Sequence, residues 1–199
     1  MAGKLKIAVL GATGYSGLEL TRILSRHPRV EKPVLLKRKA DNGAADLADV
    51  FPALSGNGGY PLHALSWSEL KQQGVSLVFL ATPHEASRLL VPEAIAQGLR
   101  VVDLSGAWRI KQEQHRAIYN FEDADAGIAA RLTDQAVYGL PELHADQIAK
   151  AALVANPGCY ATSVILALAP LVKAGVIDRS RGIISDSKSG VSGAGKPVG

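Results

Sequence analysis

Apolar residues along this chain fall into two rhythms. Continuous short runs occupy residues 4–10, 33–36, 76–81 (SLVFLA), 100–104 (RVVDL) and 151–155. Such runs read as strands buried on both faces. Between them the spacing is helical. Residues 15–27 put Leu18, Ile23 and Leu24 toward one side and Arg22 and Arg26 toward another, and Pro28 closes the stretch. Residues 84–97 form a second helix ended by Gly98, 142–150 a short one, and 159–174 another stopped by Gly175, with Pro170 inside it as an expected kink. Residues 41–60, with Gly56, Gly58 and Gly59, are expected to be mostly loop. The polar stretch 107–136 is expected to hold short helical pieces at most, and 181–187 reads as a strand before a Gly/Ser-rich tail. Strands alternating with helices predict the α/β class, a doubly wound parallel sheet. Its domain spans residues 1–155. Residues 156–199 then begin a second, α+β substrate domain, a boundary that rests on topology because composition changes little there.

Composition narrows this picture. Of 199 residues, 47% are hydrophobic, which supports a packed core. A net charge of +4, with no Lys/Arg block, argues against a nucleic-acid partner. The single cysteine excludes an intrachain disulfide and fits a reducing compartment. The N-terminal apolar run lacks the length and cleavage pattern of a signal peptide, and the stretch 161–172 is too short to span a bilayer. A soluble cytoplasmic protein with no membrane partner is the expectation.

The turn Gly11-Ala12-Thr13-Gly14-Tyr15-Ser16-Gly17 joins the first strand to the first helix. Glycines there permit a tight turn and close approach of a pyrophosphate, while the helix N-terminus offers free N–H groups and a positive dipole end. GxxGxxG is a variant of the Rossmann-type dinucleotide fingerprint, and its place in a βαβ rhythm gives it weight; a purely structural turn is the alternative. Where NAD enzymes carry an acidic residue after the second strand, this chain has Lys37-Arg38-Lys39. Cations there favour the 2′-phosphate of NADP over a ribose hydroxyl, the alternative being a solvated basic loop.

Cys159 lies in Asn156-Pro157-Gly158-Cys159-Tyr160-Ala161-Thr162, between an apolar strand and a helix. A cysteine at a helix start is disposed toward thiolate, and amides of the same turn can face an oxyanion. A lone cysteine is otherwise a small buried hydrophobe, but the Pro-Gly turn argues for the nucleophile. Arg109 is a candidate for binding a carboxylate or phosphate, with a surface Arg the alternative. Among the histidines, His84 follows a strand end and is a candidate to line the cofactor crevice, which does not by itself make it a base.

The segment 154–162, VANPGCYAT, resembles the active-site segment of the N-acetyl-γ-glutamyl-phosphate reductases, arginine-pathway relatives of the aspartate-semialdehyde dehydrogenases. GATGYSG at 11–17, DLSGAWRI at 103–110, YGLPE at 138–142 and DSKSGVSGAG at 186–195 are similar to other segments of that family, in order along the chain. The resemblance implies Cys159 as nucleophile, NADPH as cofactor and an acyl phosphate as small-molecule substrate. It implies Gly11, Thr13, Gly14, Tyr15, Ser16, Gly17, Arg38, Ser189 and Gly190 at the cofactor, Arg109 and Asn156 at the substrate, no metal, and a homo-oligomer. Attack of the thiolate expels phosphate, and hydride reduces the thioester to N-acetylglutamate semialdehyde. The chain departs from the family pattern in three ways: Ser163 replaces a smaller residue, Lys37 and Lys39 replace common hydroxyl residues, and the family's catalytic His is expected beyond Gly199. Aspartyl or aminoadipyl phosphate as substrate, or a non-catalytic NADP-binding module, are the other readings.

Overall fold

The computed structural model describes residues 3–37, 43–56 and 59–194. Seven parallel strands form one sheet in the order β3-β2-β1-β4-β5-β7-β6. They are β1 Ile7–Leu10, β2 Val34–Lys37, β3 Leu62–Ala64, β4 Leu77–Leu80, β5 Arg100–Asp103, β6 Val137–Tyr138 and β7 Leu153–Ala155. The helices are α1 Tyr15–Ser25, α2 Leu47–Val50, α3 Trp67–Gln72, α4 His84–Ala96, α5 Glu113–Arg116, α6 Ala126–Gln135, α7 Pro141–Lys150 and α8 Cys159–Lys173. This is the doubly wound, Rossmann-type arrangement that the alternating pattern predicts.

Side chains of successive strand residues leave the sheet on opposite faces, so each strand feeds two cores. Ile7, Val9 and Leu35 pack with Leu24 of α1 and Leu47 of α2 on one face. Ala8, Leu10, Val78, Leu80, Val101 and Leu153 pack with Val91 of α4, Leu132 of α6 and Trp108 on the other. Burial on both sides is why these strands read as unbroken apolar runs.

Several elements depart from the sequence reading. The expected loop 41–60 contains α2, whose Asp46 caps the helix while Asp49 returns the bond to the Asp46 amide. The polar stretch 107–136 contains α6, a full helix started by Asp125, whose carboxylate accepts the amide of Ile128 (2.8 Å) and whose inner side buries Ala129, Leu132 and Thr133. The strand expected at 181–187 is absent: Arg179–Arg181 is a 3₁₀ turn, and residues 183–190 pair with no strand and carry Ile184 at 98% exposure. An isolated extended segment has no ladder to satisfy its backbone, so it takes bonds from water instead. Helix α8 runs through Pro170 to Lys173, and none of its residues is buried.

Candidate active site

In a parallel sheet every strand delivers its C-terminal end to the same edge. The edge here collects the turn after β1, the Thr82–His84 step after β4, the loop after β5 and the turn after β7. Strand order reverses between β1 and β4, which opens a crevice at that edge.

The turn after β1 is built by close approach. Gly11 has φ +88°, and a Cβ placed on it would stand 2.2 Å from the Ala81 carbonyl oxygen of β4's end. A Cβ on Gly17 would stand 2.1 Å from the Gly11 oxygen. Gly14 caps α1 without any side-chain bond, and its own Cβ position is open save for the Gly11 oxygen at 3.6 Å. Tyr15 and Ser16 open α1 and are exposed, and half-buried Thr13 precedes the cap. The first-turn amides of α1 thus face outward without a capping side chain, in a cradle with no Cβ above Gly14. Lys37 gives its ammonium to the Ala44 carbonyl (2.7 Å), and Arg38 lies outside the described residues.

Cys159 is the first residue of α8 and is exposed, with Gly158 as the cap. Arg109 reaches this turn from the loop after β5. Its Nε donates to the Asn156 carbonyl (2.5 Å) and its Nη2 to the Leu104 carbonyl (2.8 Å). Its Nη1 lies 3.2 Å from where a Cβ on Gly158 would sit, and has no hydrogen-bond partner among the described residues. Arg109, Asn156 and Cys159 are therefore brought together. Ser189 and Gly190 are not: both are exposed, and among the described residues the Ser189 hydroxyl bonds only the neighbouring Gly190 carbonyl (3.5 Å) and nothing lies within 4 Å of a Cβ on Gly190.

Two contributors, Asp103 and Gly139, escaped the sequence reading, and a third, His84, was expected near the crevice but without its partner. His84 accepts the Gly106 amide at Nδ1 (2.8 Å), which puts its ring proton on Nε2, and its ring meets Tyr119 and Phe121 edge-on. Asp103, fully buried at the end of β5, binds Ser105 through both the amide (3.2 Å) and the hydroxyl (2.7 Å). Burial pushes its carboxyl above the ordinary aspartate range, against the pull of Ser105, Ser87 and Arg109. Gly139 in YGLPE packs so closely on β7 that a Cβ would stand 2.9 Å from Val154 and 3.0 Å from Asn156. For Asp103 the available signal was an acid ending an apolar strand with Ser two residues on. For His84 there was none beyond its place after β4. No cluster of metal-ligating residues occurs among the described residues, and no helix there is long and apolar enough to cross a membrane.

Comparison with known proteins agrees with this layout. Residues 6–151 match the family model described as semialdehyde dehydrogenase, NAD binding domain, and residues 159–199 match the one described as semialdehyde dehydrogenase, dimerisation domain. The chain is 44% identical over 192 residues to a protein of Desulfotalea psychrophila, and 45% identical over 193 residues to one of Halalkalibacterium halodurans. Both are named N-acetyl-gamma-glutamyl-phosphate reductase. Each match takes in 96% of this chain but only 53% and 54% of the relative, so the chain spans about half the length of the curated relatives it matches. Among solved structures, aspartate semialdehyde dehydrogenase II of Vibrio cholerae superposes with a TM-score of 0.60 at 20% identity, covering 86% of this chain and 47% of that one, a likeness of fold.

Proposed function

The chain belongs to the semialdehyde dehydrogenase family, and from that premise we propose that it supplies the cofactor domain and the nucleophile of an NADPH-dependent N-acetyl-γ-glutamyl-phosphate reductase. The observation that carries this reading is the meeting of Arg109 with the Cys159 turn on the sheet edge that also bears the glycine cradle. Residues 1–155 would form the dinucleotide-binding domain and 156–199 the beginning of a catalytic domain.

The cradle suits a dinucleotide: Gly11 and Gly17 keep the backbone tight, Gly14 leaves space, and the α1 amides would hold the pyrophosphate. Arg38 would face the 2′-phosphate. The bound nicotinamide would supply the hydride that takes the acyl group to the aldehyde level. Cys159 would attack the acyl carbon as thiolate. A bond forms from Sγ to that carbon, the carbon–oxygen bond to phosphate breaks, and phosphate departs, leaving a thioester. The unbonded Nη1 of Arg109 would steady the leaving phosphate. Asn156 holds Arg109 through its carbonyl, so its part here is to orient the cation. His84 is engaged with the loop through Nδ1, and no proton transfer is assigned to it.

The test is Cys159→Ser, assayed as phosphate-dependent reduction of NADP by the semialdehyde, in a version continued to the length of the curated relatives. Turnover should vanish while NADPH binding persists, because a serine hydroxyl is not ionised near neutrality. Substantial turnover by that variant would sink the thioester route.

A further inference from the structure

The loop that carries Arg109 has its early amides taken by side chains. The Ser105 amide goes to Asp103 Oδ1 (3.2 Å), the Gly106 amide to His84 Nδ1 (2.8 Å) and the Ala107 amide to the Ser105 hydroxyl (3.1 Å). That hydroxyl donates in turn to Asp103 Oδ2 (2.7 Å). The Ser87 hydroxyl of α4 also favours the charged Asp103 carboxylate, and it receives the indole N–H of Trp108 (3.1 Å). On the other side, the Asp103 main-chain oxygen accepts the amide of Asn156 (2.8 Å). Asp103 therefore joins both walls of the Arg109 seat: the Ser105 loop through its side chain and the Cys159 turn through its backbone.

For the Ser105 amide alone a short acceptor suffices, and asparagine offers one, though not the second oxygen that takes the Ser105 hydroxyl. What aspartate adds is a negative charge in a buried place, where burial opposes it. Ser105 compensates it most, and the cation that also favours the charge is Arg109, whose hydrogen bonds go to the neutral carbonyls of Leu104 and Asn156 and leave Nη1 unbonded among the described residues. A guanidinium held by two main-chain carbonyls before an anion arrives loses little freedom when it binds one.

We infer that Asp103 is a positioning residue for anion binding, holding Arg109 through the Ser105 turn and the Asn156 carbonyl so that Nη1 faces the phosphate beside Cys159. The inference rests on the reading of Arg109 and Cys159 given above. The chain has one thiol, and it is exposed, so its alkylation reports on what lies beside it.

The experiment measures the rate at which iodoacetamide modifies Cys159 while inorganic phosphate is titrated. Phosphate should slow the reaction in the unaltered chain, and Asp103→Asn should raise the half-protecting concentration on the order of ten-fold, the scale of weakening one charge-assisted contact. The residual protection in Arg109→Met should be the same with and without Asp103→Asn, because the aspartate acts through the arginine. If Asp103→Asn fails to fold, Ser105→Ala keeps the charge, loosens the turn, and should raise the same concentration. Undiminished protection in a folded Asp103→Asn chain, or an unchanged effect of that substitution without Arg109, overturns the positioning role alone. No protection by phosphate in the unaltered chain overturns that role together with the anion site on which it depends.

Discussion

Arg88 and Asp123 form a two-pronged ion pair, Nε to Oδ1 and Nη2 to Oδ2, both at 2.6 Å. The Arg88 side chain is 1% exposed and that of Asp123 20%. The guanidinium also lies 4.0 Å over the Trp108 ring and donates to the Ala107 carbonyl (3.2 Å). Helix α4 is thereby fastened to the segment that precedes α6 and to the residues just before Arg109. Removing one partner of a buried pair leaves the other charge without compensation. Asp123→Ala should cost about 3 kcal/mol, the low end for such a change because Asp123 keeps some water. Urea unfolding measures it, and a loss under about 1 kcal/mol would show that the pair is only a surface contact.

The glycine turn predicts a split between neighbours. Gly17→Ala places a Cβ against the Gly11 carbonyl, a backbone atom that cannot swing aside, and Gly11→Ala meets the Ala81 oxygen at positive φ as well. Each should destabilise the chain by more than about 2 kcal/mol and weaken NADP(H) binding. Gly14→Ala, with its Cβ in ordinary contact at 3.6 Å and φ −86°, should stay within about 1 kcal/mol. Equal losses at all three positions in thermal melts would contradict the close-approach account.

The proposed reading gives Arg38 a part in cofactor preference. NADPH should bind more tightly than NADH, and Arg38→Ala should narrow the gap by about 1.5–3 kcal/mol. Fluorescence titration of both nucleotides decides it. Equal affinities in the unaltered chain would leave the Lys37–Lys39 cations as a solvated loop.

Asp103 should leave a signature in stability against pH. Its carboxyl sits above the ordinary aspartate value of 3.8, so the folded chain holds that proton more firmly than the unfolded one. Its contribution is full below about 3.8, declines as pH rises through the folded value, and is lost above it. Asp103→Asn removes this decline, so the variant should gain on the parent as pH goes from acid to neutral. Urea midpoints across that span supply the measurement; a constant difference between the two would refute the burial effect. A stability deficit carried at neutral pH is the usual accompaniment of a group kept for function.

Helix α8 predicts association. Leu166, Leu171 and Val172 are exposed on a helix with no buried residue, and Val176 follows them. Exposed apolar surface of this kind seeks a partner. Sedimentation of the chain should show concentration-dependent self-association that Leu171→Glu with Val172→Lys suppresses. A monomer at all concentrations would argue against it.

The sequence disclosed the parts of this molecule whose pattern is local. β1, β4, β5 and β7 are buried on both faces and so read as apolar runs, and the glycines of the first turn mark themselves by spacing. β3 escaped because only Leu62 of its three residues is buried, and β6 because two residues make no pattern. Helix α6 escaped because its outer face is polar and its segment begins irregularly. At the site, the meeting of Arg109, Asn156 and Cys159 could be suspected from motifs. The bond from Gly106 to His84 could not, since it joins residues on different strands' loops through a ring nitrogen. The tail misled in the opposite way: Ile183 and Ile184 suggest a strand, but β-structure requires a neighbour to pair with.

The sheet order also acts as a ruler. Between the glycine cradle after β1 and the thiol after β7 lie two strands, so three ladder spacings separate them, roughly 14 Å at the usual interstrand distance. That span cannot be adjusted by side-chain substitution, because it is counted out in whole strands by main-chain hydrogen bonds. On the proposed reading, a dinucleotide anchored at the cradle would lie stretched along the edge to bring its nicotinamide toward the sulfur. A fragment holding only the anchoring half would occupy the same cradle and leave Cys159 open to reagents.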